Sequence, residues 1–254
     1  KRQLALRAIL EGPSYIARVY EARRNFWLSY FGDLLDEIEE LQPVGRILDV
    51  GCGPGYFVEV AGRRGWEAYG LETSTQQAKY AQTKLGLNVM ACNLEQAGFA
   101  PGYFDVVTMY SVIEHVPDPH TLLKEVHTIL RDGGLLVIKT PNQDSLISSL
   151  TGLLYRASLG RYLLPIYSQE HQFRFSPATI TRLLQVTHFA PLRIDLEDNL
   201  EVLLARAGPR GLLSLVWHAV AWVVHHLARA IRRHNQMIVY SRKIPVSLQS
   251  CPGI

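Results

Sequence analysis

Three groups of residues in this 254-residue chain combine reactive side chains with a spacing that could do chemistry. The first is Asp49-Val50-Gly51-Cys52-Gly53-Pro54-Gly55, which follows the apolar pair Ile47-Leu48. Glycines at alternate positions let the backbone turn tightly and bring a ligand against bare main chain. A helix pattern follows, and its first turn offers free N–H groups. The second group is Glu72-Thr73, at the end of the next apolar run. The third is Tyr110-Ser111 with Glu114-His115 after the run Phe104-Asp105-Val106-Val107, and His171 far downstream. An imidazole can take a proton near neutrality, the work expected of a base in group transfer to oxygen.

The glycine spacing separates two kinds of ligand. A dinucleotide loop needs G-x-G-x-x-G, and Tyr56 stands where its third glycine would be. Asp49, before the first glycine, would repel a pyrophosphate and suits a cation. The stretch resembles motif I of the class I S-adenosylmethionine-dependent methyltransferases. The resemblance runs from about Val44 to Phe189. It includes Gly70-Leu71-Glu72-Thr73-Ser74, Asn93-Leu94-Glu95, Tyr110-Ser111-Val112-Ile113-Glu114-His115, Leu130-Arg131-Asp132-Gly133-Gly134 and Thr140-Pro141-Asn142, in the family's order. The last block is similar to the branch that includes the ubiquinone-biosynthesis O-methyltransferases.

That resemblance implies roles. Asp49, Gly51, Cys52, Gly53 and Gly55 form the cofactor loop, and Glu72, with Thr73, holds the ribose. Asn93 and Leu94 flank adenine, Asn93 standing where the family often has Asp, and Tyr110 and Ser111 lie on the cofactor side. His115 is the expected base and His171 the second candidate, with helix capping or simple packing as the alternative for each. In the ubiquinone-type enzymes a Glu upstream of the Glu-His pair joins it on a divalent metal. Ser111 takes that place here, so no metal site is expected. Cys52 is a small apolar filler with no paired base in the sequence around it. The cofactor implied is S-adenosylmethionine, leaving as S-adenosylhomocysteine.

The elements that must position these residues alternate strand and helix, which implies a parallel sheet covered on both faces. Strands are predicted near 46–50, 67–72, 87–92, 104–110, 134–140, 191–196 and 236–242. The fold class is α/β: a Rossmann-like, doubly wound seven-stranded sheet with an antiparallel last strand and helical cap insertions. Ligands of such sheets lie beyond the carboxyl ends of the strands, where Asp49, Glu72, Asn93 and Tyr110 all fall. The chain is expected to form a single methyltransferase domain over 1–254. Within it 1–43 is helical, 44–143 the cofactor core, 144–170 a cap insertion and 171–254 the remaining half.

Three segments lie outside that core. Phe26, Trp27, Tyr30, Phe31, Leu34, Ile38 and Leu41 recur at helical spacing, for a helix packed on the sheet or a flap over the cofactor. Residues 144–170, with Leu153, Leu154, Tyr155, Tyr162, Leu163, Leu164 and Tyr167, suit a substrate cap or an ordinary helical connection. Gly211–Arg233 is apolar with a narrow stripe that turns basic. His218, His225 and His226 interrupt it, so it is expected to be a core or dimer helix, with a membrane-surface or cap helix and, last, a transmembrane helix as the alternatives.

A net charge of +3 and 19% charged residues give no nucleic-acid footprint. Cys52, Cys92 and Cys251 show neither metal-ligand spacing nor a disulfide framework. No signal peptide is recognisable, and a cytoplasmic enzyme, peripheral to a membrane if Gly211–Arg233 binds one, is expected. The expected reaction is O-methylation of a small or lipophilic, lipid-like acceptor. Alternatives are N- or C-methylation of a sugar or natural-product precursor, and a non-catalytic cofactor-binding partner subunit.

Overall fold

Seven strands form one sheet in the order β3-β2-β1-β4-β5-β7-β6. The computed structural model describes residues 20–156, 171–197 and 222–245, with the backbone alone for 154–156. The strands are β1 (Arg46–Val50), β2 (Glu67–Leu71), β3 (Val89–Met90), β4 (Phe104–Tyr110), β5 (Leu130–Pro141), β6 (Phe189–Glu197) and β7 (Gln236–Lys243). The helices are α1 (Arg24–Leu41), α2 (Tyr56–Arg63), α3 (Thr75–Leu85), α4 (Leu94–Ala97), α5 (Pro119–Ile129), α6 (Leu146–Arg156) and α7 (Pro177–Val186). A further helix, α8, covers 222–230. The predicted strands are all present. β7 runs antiparallel between β5 and β6, and the other described pairings are parallel.

Alternation of side chains across the sheet builds two cores from the same strands. Leu48, Val50, Val107, Met109, Leu136 and Ile138 point to one face and pack with Ile180, Leu184 and Phe189. Ile47, Val106, Leu135, Val137 and Tyr240 point to the other, against Leu34, Leu35, Ile38 and Phe57. The aromatic N-terminal helix is thus a packing helix. An ionic latch holds it: the buried Glu59 of α2 accepts from both Arg24 of α1 and Arg63.

Two strands depart most from their predicted bounds. β5 starts four residues before its predicted position, because Leu130 pairs with Phe104 ahead of an irregularity at Asp105. β3 shrinks to two residues, having only β2 as a neighbour. The predicted N-cap of α7 is present as a capping box between Ser176 and Thr179, with Pro177 at the first helical position.

The C-terminal apolar helix departs from expectation. Of residues 222–231 only Ala228 is buried, whereas Trp222, Val223, Leu227 and Ile231 are about half exposed. The core-helix expectation fails for this stretch, because the helix turns only a narrow side inward. Residues 157–170 of the predicted cap and 198–221, with the start of that helix, lie outside the described residues, as do Tyr15 and Cys251.

Candidate active site

The glycine loop forms because β1 ends buried and its exit must turn at once. Gly51, Gly53 and Gly55 all take positive φ (72°, 56° and 87°), which side-chain-bearing residues rarely adopt. Gly51 and Cys52 both donate to the Leu71 carbonyl, at 2.7 and 2.9 Å, tying the loop to the end of β2. Gly55 then caps α2. The Cys52 side chain points away from the opening, into a cluster with Val58, Ala78, Ala81 and Val89. A Cβ on Gly70 would stand 2.7 Å from its sulfur. Burial pushes the thiol up, so it is an inert packing group. Of the predicted cofactor contacts, Cys52 therefore contributes main chain alone.

Two carboxylates flank this loop. Asp49 is buried and accepts from Thr108 Oγ1 at 2.7 Å. Burial pushes its carboxyl up to about 8, with the nearby Glu72 adding to the shift. A cation at the loop would supply the missing countercharge. Glu72 accepts the Gly53 N–H through Oε2 at 2.8 Å and the Ser74 N–H through Oε1 at 2.7 Å. Each oxygen keeps a lone pair for an incoming hydroxyl. Around them Ser74 Oγ, Gln77 Oε1 and Tyr110 OH are buried without hydrogen-bond partners. Such orphaned polar atoms mark a place where a polar ligand belongs. The donor set thus fits a ligand with a cationic centre and a dihydroxylated sugar.

The remaining predicted contacts divide. Leu94 is buried beside the loop end of β3, while Thr73 is exposed at the end of β2. Asn93 spends its side-chain oxygen capping α4, accepting from Gln96 N at 2.9 Å. One Oδ1 lone pair and the amide donors remain for a base. The Tyr110 ring lies 5.4 Å from those of Phe31 and Phe57, on the α1 face, and burial pushes its hydroxyl up. Tyr20, just before α1, brings its hydroxyl over the loop, 3.9 Å from where a Gly53 Cβ would stand. The N-terminal segment therefore both packs on the sheet and reaches the loop.

Ser111 ends β4 with φ 52°, a left-handed turn that only a few per cent of non-glycine residues adopt. It donates its N–H to the Lys139 carbonyl at 2.9 Å. The turn lays Val112 against Gly51, 2.5 Å from an ideal Cβ there. The segment carrying Glu114 and His115 is thereby braced on the glycine loop. Glu114 is buried and accepts from Thr140 Oγ1 at 2.9 Å, while its Oε1 has no hydrogen-bond partner. Burial pushes this carboxyl up as well. His115 Nε2 lies 4.0 Å from Glu114 Oε1.

His171 joins this pair from 56 positions downstream. Its ring centroid lies 4.8 Å from that of His115, edge to face. Main chain holds it there: Gln172 and Phe173 donate to the Glu114 carbonyl at 2.8 and 3.1 Å, and Gln172 Nε2 donates to the His115 carbonyl. Neither His115 nor Glu114 caps the following helix, because Asp118 accepts from the His120 and Thr121 N–H groups instead. Ligand atoms of Glu114, His115 and His171 all lie within 4.8 Å of one another. One carboxylate and two imidazoles can hold a divalent cation. The sequence reading expected no metal because Ser111 stands where the related enzymes have a Glu; His171, distant in the chain, supplies a third possible ligand instead.

A polar cluster on the α1 face had no counterpart in the sequence reading. Lys139 of β5 is buried, donates to Tyr30 OH at 2.6 Å and pairs with Glu197 of β6. Nearby, a cavity of about 280 Å³ is lined by Leu196, Glu197, His225, Arg229 and His234.

A family model described as a methyltransferase domain matches residues 20–194. The chain is 28% identical to a ubiquinone biosynthesis O-methyltransferase of Aeromonas salmonicida, over 62% of this chain and 73% of that one. It is 30% identical to the enzyme of that name from Colwellia psychrerythraea, over 52% of this chain and 50% of that one. An uncharacterized methyltransferase of a Mycobacterium strain is 36% identical over 48% of this chain and 49% of its own length. The chain thus spans about half to three quarters of the curated relatives it matches. Among solved structures, an S-adenosylmethionine-dependent methyltransferase from Archaeoglobus fulgidus superposes with a TM-score of 0.59 at 19% identity, covering 96% of this chain and all of that one. A geranyl diphosphate methyltransferase bound to S-adenosylmethionine superposes with a TM-score of 0.60 at 18% identity, over 92% of each chain. At these identities the structural likeness shows the fold.

Proposed function

This chain belongs to the methyltransferase-domain family and uses S-adenosylmethionine, and from that premise we propose that it methylates an acceptor hydroxyl beside His115. The cofactor supplies an electrophilic methyl group on a sulfonium. Asp49, Glu72 and the main chain of the glycine loop would hold it. Transfer would form an O–C bond to the acceptor, break the C–S bond and pass the hydroxyl proton to His115. Positioning contributes most of the rate in such a displacement. A base in reach adds about 10²- to 10⁴-fold.

The observation that carries this reading is the packing of Val112 on Gly51, which fixes Glu114-His115 relative to the cofactor loop. Glu114 Oε1, 4.0 Å from Nε2, and the His171 ring, 4.8 Å away, stand beside His115. The relatives' names support a hydroxyl acceptor, with a small, lipid-like molecule as the class.

The test is methyl transfer from labelled cofactor to a catechol with an alkyl chain. His115→Gln should lower kcat at least 100-fold and leave S-adenosylhomocysteine affinity unchanged. Full activity in that variant would overturn the role of His115.

The convergence of Glu114, His115 and His171 favours a second reading of the same residues. Together they would hold a divalent cation, which would polarise the acceptor hydroxyl in place of a protein base. Exhaustive chelation separates the two. Activity that survives it leaves proton transfer to His115, and activity restored by added zinc or manganese assigns the cluster to the cation.

A further inference from the structure

The outward face of α8 is apolar where a surface helix is normally polar. Trp222, Val223, Leu227 and Ile231 are 57%, 56%, 50% and 46% exposed. Val223, Leu227 and Ile231 follow one another at steps of four, which places them in one stripe. Leu150 and Leu153 of α6 are also exposed, at 38% and 65%. The end of α8 is joined to the start of α6: Leu146 donates to the Arg233 carbonyl, and Arg233 donates to the Asp144 carbonyl and to Ser149 Oγ.

Charge points to the partner. Exposed Arg229 lies on the side of α8 away from the stripe, and exposed Arg232 follows the end of the helix. Residues 202–254 contain seven Arg and Lys and no Asp or Glu, although the whole chain is only +3. The first 201 residues are therefore net negative, and the positive charge is gathered into the part of the sequence that holds α8. We propose that this face docks on an anionic membrane surface, with α8 lying in the plane of the headgroups. An exposed apolar stripe on a helix that also carries an exposed tryptophan and an arginine on its other sides, and no acid, is the pattern of an interfacial helix. Nine residues rise about 13 Å, far short of a bilayer core of about 30 Å. Among the described residues no helix is long and apolar enough to cross a membrane. A second copy of the chain fits less well. A second copy would present the same basic part of the chain, with no carboxylate on α8 to offset Arg229, whereas an anionic surface neutralises it.

Vesicle flotation of the full chain tests this. The protein should float with phosphatidylcholine vesicles containing about 30 mol% phosphatidylglycerol, and stay at the bottom with pure phosphatidylcholine. The double variant Trp222→Ser/Leu227→Ser should lower partition at least tenfold. Arg229→Gln/Arg232→Gln should lower it about fivefold per charge on anionic vesicles, with the difference vanishing at high salt. Unchanged S-adenosylhomocysteine affinity in both variants shows that they are folded. Wild-type protein that floats with neither vesicle overturns the proposal, as does flotation undiminished in Trp222→Ser/Leu227→Ser. A dimer lost in that variant, without vesicle binding by the wild type, assigns the face to a second copy instead.

Discussion

Asp49 has the most informative titration in the site. Its buried carboxyl, pushed up to about 8, keeps a proton that the unfolded chain would release above about pH 4. Stability of the ligand-free protein must therefore fall as pH rises from about 4 to about 8. The cationic cofactor reverses the preference, because it favours the carboxylate. Binding below pH 8 then releases a proton, and affinity should rise by up to about tenfold per pH unit before levelling near pH 8. Calorimetry in buffers of different ionisation enthalpy measures that proton. Asp49→Asn keeps the ligand's own titration and should lose the remainder. At the same scale, Gly70 is the place where one methyl group matters. A Cβ there meets Cys52 Sγ at 2.7 Å and Val89 Cγ2 at 2.9 Å. Gly70→Ala should cost about 1–3 kcal/mol by overpacking and weaken cofactor binding through the shifted loop. Adding Cys52→Ala should restore part of the loss, because one of the two clashes goes. Denaturant melts of the three variants form the cycle that checks this.

At the scale of elements, the latch between α1 and α2 decides how the N-terminal segment lies over the loop. Glu59 is buried and receives Arg24 from one helix and Arg63 from its own. Removing Arg24 halves its countercharge. Arg24→Ala should therefore free the start of α1, speed amide exchange in 21–30 and weaken S-adenosylhomocysteine binding severalfold, with the sheet's protection unchanged. The short helix α4 shows the same economy in reverse. Its capping box fixes the Asn93 side chain and leaves one Oδ1 lone pair and the amide donors for a ligand.

Across the whole molecule, the Lys139–Tyr30–Glu197 cluster joins α1, β5 and β6 on one face. Burial pushes the Lys139 amine down, while Glu197 opposes the shift. Glu197→Ala strands a buried ammonium and should cost about 3–5 kcal/mol. Lys139→Met should cost far less, since the partly exposed Glu197 can hydrate. Lys139→Met/Glu197→Leu should recover near-native stability. Thermal melts rank the three, and Glu197→Ala no worse than Lys139→Met would mean the cluster is not electrostatically coupled.

The sequence by itself determined what repeats at short range. Hydrophobic runs located the strands, because a strand buried on both faces is apolar along its length. Glycine spacing with Asp49 and Glu72 located the cofactor loop, because positive φ and countercharge leave few choices of residue. The Ser176-Pro177 helix start was legible for the same local reason. The tertiary structure decided what depends on contacts between distant parts of the chain. His171 meets His115 only because main-chain bonds to Glu114 hold it there. Cys52 turns inward because Gly70 and Val89 leave it a slot. Lys139 finds Tyr30 and Glu197 only when three elements share a sheet face. The orientation of α8 was illegible for a plainer reason. Its apolar residues are equally consistent with facing a core or facing outward, and only the tertiary structure turns Ala228 in and Trp222, Val223, Leu227 and Ile231 out.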